Sequence, residues 1–413
     1  MTNMENSLTR TRLLFESKKI VGRPNLRERM LIRLFSRIKT GRLTVLFPSG
    51  VRQTFGSGIP FPQVQIRIHD LRLVSRILLA GDLGLAESYM EGDWDTPDLT
   101  SLLMLGVANA DVLGESMTGI WLTTMLNRIR HARRANTRKG SRRNIAAHYD
   151  LGNSFYRLWL DETMSYSSAL FSTMDEPLAA AQRQKYLRLA DKLDLRPGDR
   201  VLEIGCGWGG FAEIAAAEFG CKVVGLTLSA EQAAFARARM ADAGLAADVE
   251  IRIQDYRDIN ETFDKIVSIE MFEAVGEKNW KTYFNVLDRC LEPGGRAALQ
   301  SITIADEYFE GYRRNPDFIQ RYIFPGGMLP SPTAFERAVA DAGLRISEAL
   351  YFGKSYAETL RRWDTAFREQ WPAIEALGFD ERFRRMWRFY LSYSEVGFDM
   401  GQIDVGQFVI ERP

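Results

Sequence analysis

The chain has 413 residues, enough for two or three domains, and its 46% hydrophobic and 26% charged residues are those of a folded globular protein. A formal net charge of +1 excludes strong attraction of the whole molecule to polyanions, so any such attraction must be local. Three cysteines (Cys206, Cys221, Cys290) fit neither a disulfide framework nor a Cys-x-x-Cys metal site, and the three scattered histidines (His69, His131, His148) disfavour a zinc site or a Ser-His-Asp triad.

In chain order, residues 1–25 read as a mobile polar tail without a signal-peptide core. No later apolar run approaches the roughly 20 residues of a membrane-spanning helix. The expected location is cytoplasmic, with any membrane contact peripheral. Residues 26–125 read as a small α+β domain. "LTVLFPSGVRQTFG" is a hairpin turning at Pro48-Ser49-Gly50, "VQIRIHD" alternates like a strand, and the segment after it is apolar at helical spacing. Residues 126–143 read as a basic linker: Arg128 to Arg143 holds eight basic residues and no acidic one. It is either a solvated charge run or a patch for anionic lipid head groups. Nucleic acid is disfavoured, because no aromatic residue is interleaved.

From residue 144 to 413 apolar β runs alternate with helical stretches: Val201–Ile204, Lys222–Leu226, Val249–Ile253, Lys265–Ile269 and Ala297–Ile304. Such alternation predicts an α/β domain, a mostly parallel sheet with helices on both faces. Two late runs, near Leu344–Tyr351 and Ile403–Ile410, are expected as edge strands.

Gly205, Gly207 and Gly210 follow the first of these runs in G-x-G-x-x-G spacing. Such a loop lets backbone approach a ligand and opens a helix whose N-terminus favours negative charge. A nicotinamide site usually ends its second strand with an acid for the ribose. Here that strand ends "VVGLTLSAEQ", with no acid before Glu231. Glu203, at the end of the first strand, suits a cationic ligand group instead. A cationic, carboxylate-bearing, nucleoside-like ligand is S-adenosylmethionine.

"HYDLGNSFYRLWLDETMSYSSALF", "VLEIGCGWGGFAEIAA", "VVGLTLSAEQ", "QDYRD", "SIEMFEAVGEKNWKTYF" and "RYIFPGGMLPS" occur in this order. Together they resemble the cyclopropane-fatty-acyl-phospholipid synthases and mycolic acid cyclopropane synthases from Asn144 onward. Residues 26–125 more loosely resemble the lipid-binding domain of the bacterial phospholipid enzymes. The resemblance implies a Rossmann-like class I methyltransferase domain and a homodimer. It implies transfer of a methylene group from S-adenosylmethionine to the double bond of unsaturated phospholipid acyl chains, giving cyclopropanes, with C-methylation to a branched chain as the alternative. A catalytically silent lipid-binding protein is the non-enzyme reading.

By the same resemblance Tyr149, Tyr166 and Ser167 line the methionine end of the cofactor, and Gly205 and Gly207 its backbone side. Thr227, Leu228 and Gln232 meet the ribose, and Gln254, Asp255 and Tyr256 the adenine. Transfer leaves a carbocation on the chain, and a bound bicarbonate is implied as the base that takes the proton. Glu273 and Tyr356 are expected to hold it, with Ile302 through its backbone and Ser168 and Gln300 as neutral donors where relatives often carry Cys and His. Two aromatic-rich stretches, "YRRNPDFIQRYIFPGGM" and "RRMWRFYLSYSEVGF", are read as either acyl-tunnel wall or core.

Overall fold

Two separate sheets organise the chain in a computed structural model that describes residues 22–57, 63–117 and 151–412. The expected tail up to residue 21, the basic run Arg128–Arg143 and Tyr149 lie outside the described residues. The backbone divides into two compact units, residues 1–127 with 379–396 and residues 128–378 with 397–413.

The first unit carries strands β1 (Arg42–Leu46), β2 (Arg52–Phe55), β3 (Gln63–Ile68) and β4 (Trp94–Asp95), in the order β2-β1-β3-β4. The expected hairpin closes where Gly50 N–H donates to Phe47 O at 2.9 Å. Along β3 alternate residues Val64, Ile66 and Ile68 are buried, the period of a half-covered strand. One segment departs from the expected continuous catalytic domain of residues 144–413. Residues 379–396, most of the helix Glu381–Asp399, cluster with this first unit. Phe389 lies 6.0 Å from Tyr89, and Arg385 Nη1 donates to Tyr89 O at 2.9 Å. Within "RRMWRFYLSYSEVGF", the residues from Arg384 to Val396 therefore supply core to the first unit, with Trp387 and Tyr390 also buried.

The second unit is built on seven strands in the order β10-β11-β9-β8-β5-β6-β7. These are β5 (Arg200–Ile204), β6 (Lys222–Thr227), β7 (Val249–Ile253), β8 (Phe263–Ile269), β9 (Leu291–Ile304), β10 (Arg345–Tyr351) and β11 (Ile403–Glu411). The pairs from β9 through β7 are parallel, and β11 runs antiparallel to both β9 and β10. The expectation of two edge strands is therefore half corrected. β10 is an edge, whereas β11 lies inside the sheet. Residues Val405–Ile410 are buried without interruption, the pattern of a strand covered on both faces.

β5 shows how the two faces are filled. Leu202 and Ile204 join a core with Trp280, Phe284 and Leu287 of the helix Trp280–Cys290 and with Phe335. Val201 joins an opposite core with Leu189, Phe211 and Met240, one from each of the helices Leu178–Leu193, Gly210–Phe219 and Ala230–Asp242. The carboxyl ends of the parallel strands are left facing a common crevice, where ligands bind in such sheets.

Candidate active site

The glycine loop opens at the end of β5 because its backbone is held by the next strand. The N–H groups of Gly205 and Cys206 both donate to Leu226 O on β6 at 2.9 Å. Gly205 has φ +85°, and a Cβ there would meet Met271 Cγ at 2.7 Å. Gly207 has φ +52° with no atom near its imaginary Cβ, so its backbone faces open space. One cavity runs along this loop. It is lined by Tyr166, Ser167, Glu203, Gly205, Gly207, Thr227, Leu228, Gln232, Gln254, Asp255 and Tyr256. Every described residue expected to touch the cofactor thus borders the same space.

Glu203 is the most informative of them. It is 2% exposed, and its Oε2 is buried with no hydrogen-bond partner. Burial pushes its carboxyl well above the usual range, opposed by the Ala212 backbone and by the Arg239 charge. An orphaned buried carboxylate bordering a cavity suits a cationic group entering it. Asp255 is committed differently: its two oxygens accept from Arg257 Nε at 2.8 Å and Nη2 at 2.6 Å. Thr227 Oγ1 donates to Gln232 Oε1 at 2.9 Å, and the Ser229 cap holds Gln232 N at 3.2 Å, so the second-strand turn offers amides and hydroxyls where an acid is absent. Tyr166 stands in an aromatic group, its ring 5.4 Å from Tyr156, 5.6 Å from Trp159 and 5.4 Å from Trp363.

A second cluster is centred on Glu270, which borders the same cavity one residue beyond β8. Glu270 Oε1 accepts from Ser168 N and from Gln300 Nε2, both at 2.8 Å, and Oε2 accepts from Tyr356 OH at 2.6 Å. Gln300 is oriented in turn. Its Oε1 accepts from Gln407 Nε2 at 3.0 Å, and Arg188 Nη1 donates to Gln407 Oε1 at 2.7 Å. The pairing of β11 with β9 places Gln407 directly opposite Gln300. Burial raises the Glu270 carboxyl, while the Lys185 charge, Tyr356, Gln300 and Ser168 pull it back. Lys185 is wholly buried, donates to Ser167 Oγ, and is pushed down to about 8 by desolvation.

The sequence profile of the mycolic acid cyclopropane synthetases matches residues 136–408. The chain belongs to this family. It is 42% identical to the tuberculostearic acid methyltransferase of Mycobacterium tuberculosis, across 82% of this chain and 81% of the relative. It is 39% identical to the cyclopropane-fatty-acyl-phospholipid synthase of Escherichia coli, across 84% and 87%. The solved structure of a mycolic acid cyclopropane synthase complexed with SAH and CTAB superposes with TM-score 0.62 at 33% identity, covering 65% of this chain and 98% of that one. The protein is an S-adenosylmethionine-dependent methyltransferase of class I fold, and Glu203, the glycine loop and the lined cavity fit that cofactor.

Within this family frame the expected base site needs correction. Tyr356, Gln300 and Ser168 converge, but on Glu270 and not on Glu273. Glu273 Oε1 instead accepts from Ile302 N and, at 3.1 Å, from Ser301 Oγ, while its Oε2 is buried without a partner. Burial, and then the charge of Glu270, raise the Glu273 carboxyl to about 8. Ser168 contributes its N–H, because its hydroxyl is turned onto Ala169 O at 2.8 Å. The donors expected for bicarbonate are engaged by a carboxylate of the chain itself, so a second anion does not fit among them. Trp208 and Arg257 also border the cavity and were not expected there. Glu270 was missed as well, although an acid closing the apolar strand "KIVSI" at a parallel-sheet crevice was a usable signal.

Proposed function

We propose that the protein transfers a one-carbon unit from S-adenosylmethionine to the double bond of an unsaturated phospholipid acyl chain and closes it to a cyclopropane. The observation that carries this reading is a single cavity bordered at one side by the cofactor loop and at another by Glu270, with no nucleophile needed between them. The bound cofactor supplies a sulfonium methyl, a strong electrophile toward a weakly nucleophilic alkene.

The side chains around the cavity have separate tasks. Glu203 binds the ammonium of the methionine end, and Tyr166 offers an aromatic face to positive charge. Thr227 and Gln232 hold the ribose, with Gln254, Asp255 and Tyr256 at the base. The buried aromatic rings around Tyr166 exclude water, so that alignment of two reactants in a dry site supplies much of the rate. Recruitment to a membrane surface is assigned to the basic run Arg128–Arg143, acting on anionic head groups. No helix among the described residues is long and apolar enough to cross a membrane.

The 42% identity to a tuberculostearic acid methyltransferase favours a second reading, C-methylation to a branched chain. Lipid analysis with trideuteromethyl cofactor and monounsaturated phospholipid vesicles separates the two. Ring closure keeps two deuterons and gives upfield cyclopropyl protons in the NMR spectrum. A methyl branch formed by loss of a chain proton keeps three deuterons, and a methylene branch keeps two without upfield signals. Absence of any labelled acyl product would sink both readings.

A further inference from the structure

We infer that Glu270 is the built-in proton acceptor of the reaction, its carboxylate occupying the seat that an exogenous bicarbonate would otherwise take. The inference rests on the alkene-alkylating activity proposed above and names the group that completes it.

The seat is built for an oxyanion. A backbone N–H, a side-chain amide and a phenol converge from three elements: the loop at Ser168, β9 at Gln300 and the helix Gly353–Glu369 at Tyr356. All three donors are spent on Glu270. The placement is not a relaxed accident of the strand end. Glu270 has φ +49°, in the left-handed region that residues other than glycine rarely adopt, and its own N–H donates to Gln300 O at 2.7 Å. The surrounding structure holds that backbone turned so that the side chain reaches the three donors.

The lone-pair count shows which oxygen acts. A carboxylate oxygen has two acceptor sites. Oε1 accepts from both Ser168 and Gln300, whereas among the described residues Oε2 accepts only from Tyr356. One site on Oε2 is therefore open, on a residue that borders the cavity. The three donors also spread the negative charge, which blunts attack by the carboxylate on the sulfonium while leaving it basic enough to take a proton from a carbocation.

The step balances without a further reagent. The alkene π pair forms a carbon–carbon bond to the methyl as the carbon–sulfur bond breaks, its pair staying on sulfur. Oε2 removes a proton from the new methyl, and the released C–H pair closes the bond to the cationic carbon. Glu270 then returns its proton to solvent when product leaves. In the branched-chain outcome the same oxygen takes a proton from the chain and the pair forms a double bond.

The test uses the full chain, S-adenosylmethionine and monounsaturated phospholipid vesicles in carbonate-free and bicarbonate-supplemented buffer. Wild-type turnover is expected to be the same in both. Glu270→Gln should retain cofactor binding by calorimetry and lose about 100-fold or more in turnover. Glu270→Gly, compatible with the positive φ, empties the seat and should recover turnover only when bicarbonate is added. A second readout is independent of activity: carbon-13 bicarbonate titrated by NMR should bind saturably to the Glu270→Gly variant and not to the wild type. Wild-type turnover that depends on added bicarbonate, saturable bicarbonate binding by the wild type, or wild-type turnover in Glu270→Gln overturns the proposal. Failure of the underlying activity looks different: no labelled acyl product forms under either condition, while the NMR titration still decides who holds the seat.

Discussion

Replacing Glu203 with Gln keeps the shape of the side chain and removes its ability to become an anion. In the folded protein the carboxyl is 2% exposed, has one oxygen without a partner, and is held well above its usual range by burial. Burial therefore favours its neutral, protonated form while the cavity is empty. An ammonium arriving beside it favours the carboxylate and lowers its pKa, so cofactor binding should release a proton. Affinity should rise with pH between the bound-state and free-state values and level off above the latter. A hydrogen bond to a charged group contributes about 1.5–3 kcal/mol, and at 1.4 kcal/mol per decade its loss weakens binding by about 10- to 150-fold. The assay is calorimetric titration of S-adenosylmethionine in two buffers of different ionisation enthalpy. The wild type should give buffer-dependent heats, and Glu203→Gln buffer-independent heats with weaker binding. Equal heats in both buffers for the wild type, or unchanged affinity in the variant, would refute the reasoning.

Gly207→Val should abolish cofactor binding in the same titration while leaving the far-ultraviolet spectrum unchanged, because a β-branched residue is strained at φ +52° and its side chain projects into the cavity approach. For Glu273, the folded carboxyl holds its proton up to about 8, against a reference of 4.5. The folded state therefore binds the extra proton between those values, and stability falls as pH rises across that window. Glu273→Gln removes this dependence, so its melting temperature should exceed that of the wild type by a margin that grows from about pH 5 to about pH 8. Neutralising Arg133, Arg134, Arg142 and Arg143 together should reduce flotation with anionic vesicles, as should raised salt by screening; unchanged flotation would leave the run as a linker only.

The features legible in the sequence were those set by short stretches of chain. The apolar runs of β5, β6 and β8 declare strands buried on both faces, and the glycine spacing declares a loop that must take positive φ. Glu203 and the acid-free end of β6 select a cationic ligand over a nicotinamide, since each is read from its own few residues. All the described cofactor residues then border one cavity, because the ends of parallel neighbouring strands lie side by side. What lay beyond the sequence depended on distant segments meeting. The strand-closing position of Glu270 marks it as facing the crevice, but which of Glu270 and Glu273 receives the converging donors is decided by Tyr356 and Ser168, which lie 86 and 102 residues from Glu270 along the chain. The position of β11 between β9 and β10, which sets Gln407 against Gln300, follows from pairing across more than a hundred residues. The membership of residues 379–396 in the first unit was equally hidden, because an aromatic helix reads the same whichever core it fills. Local conformational preference is written in neighbouring residues, whereas the partner of a buried carboxylate or an aromatic face is decided only when the folded chain supplies one.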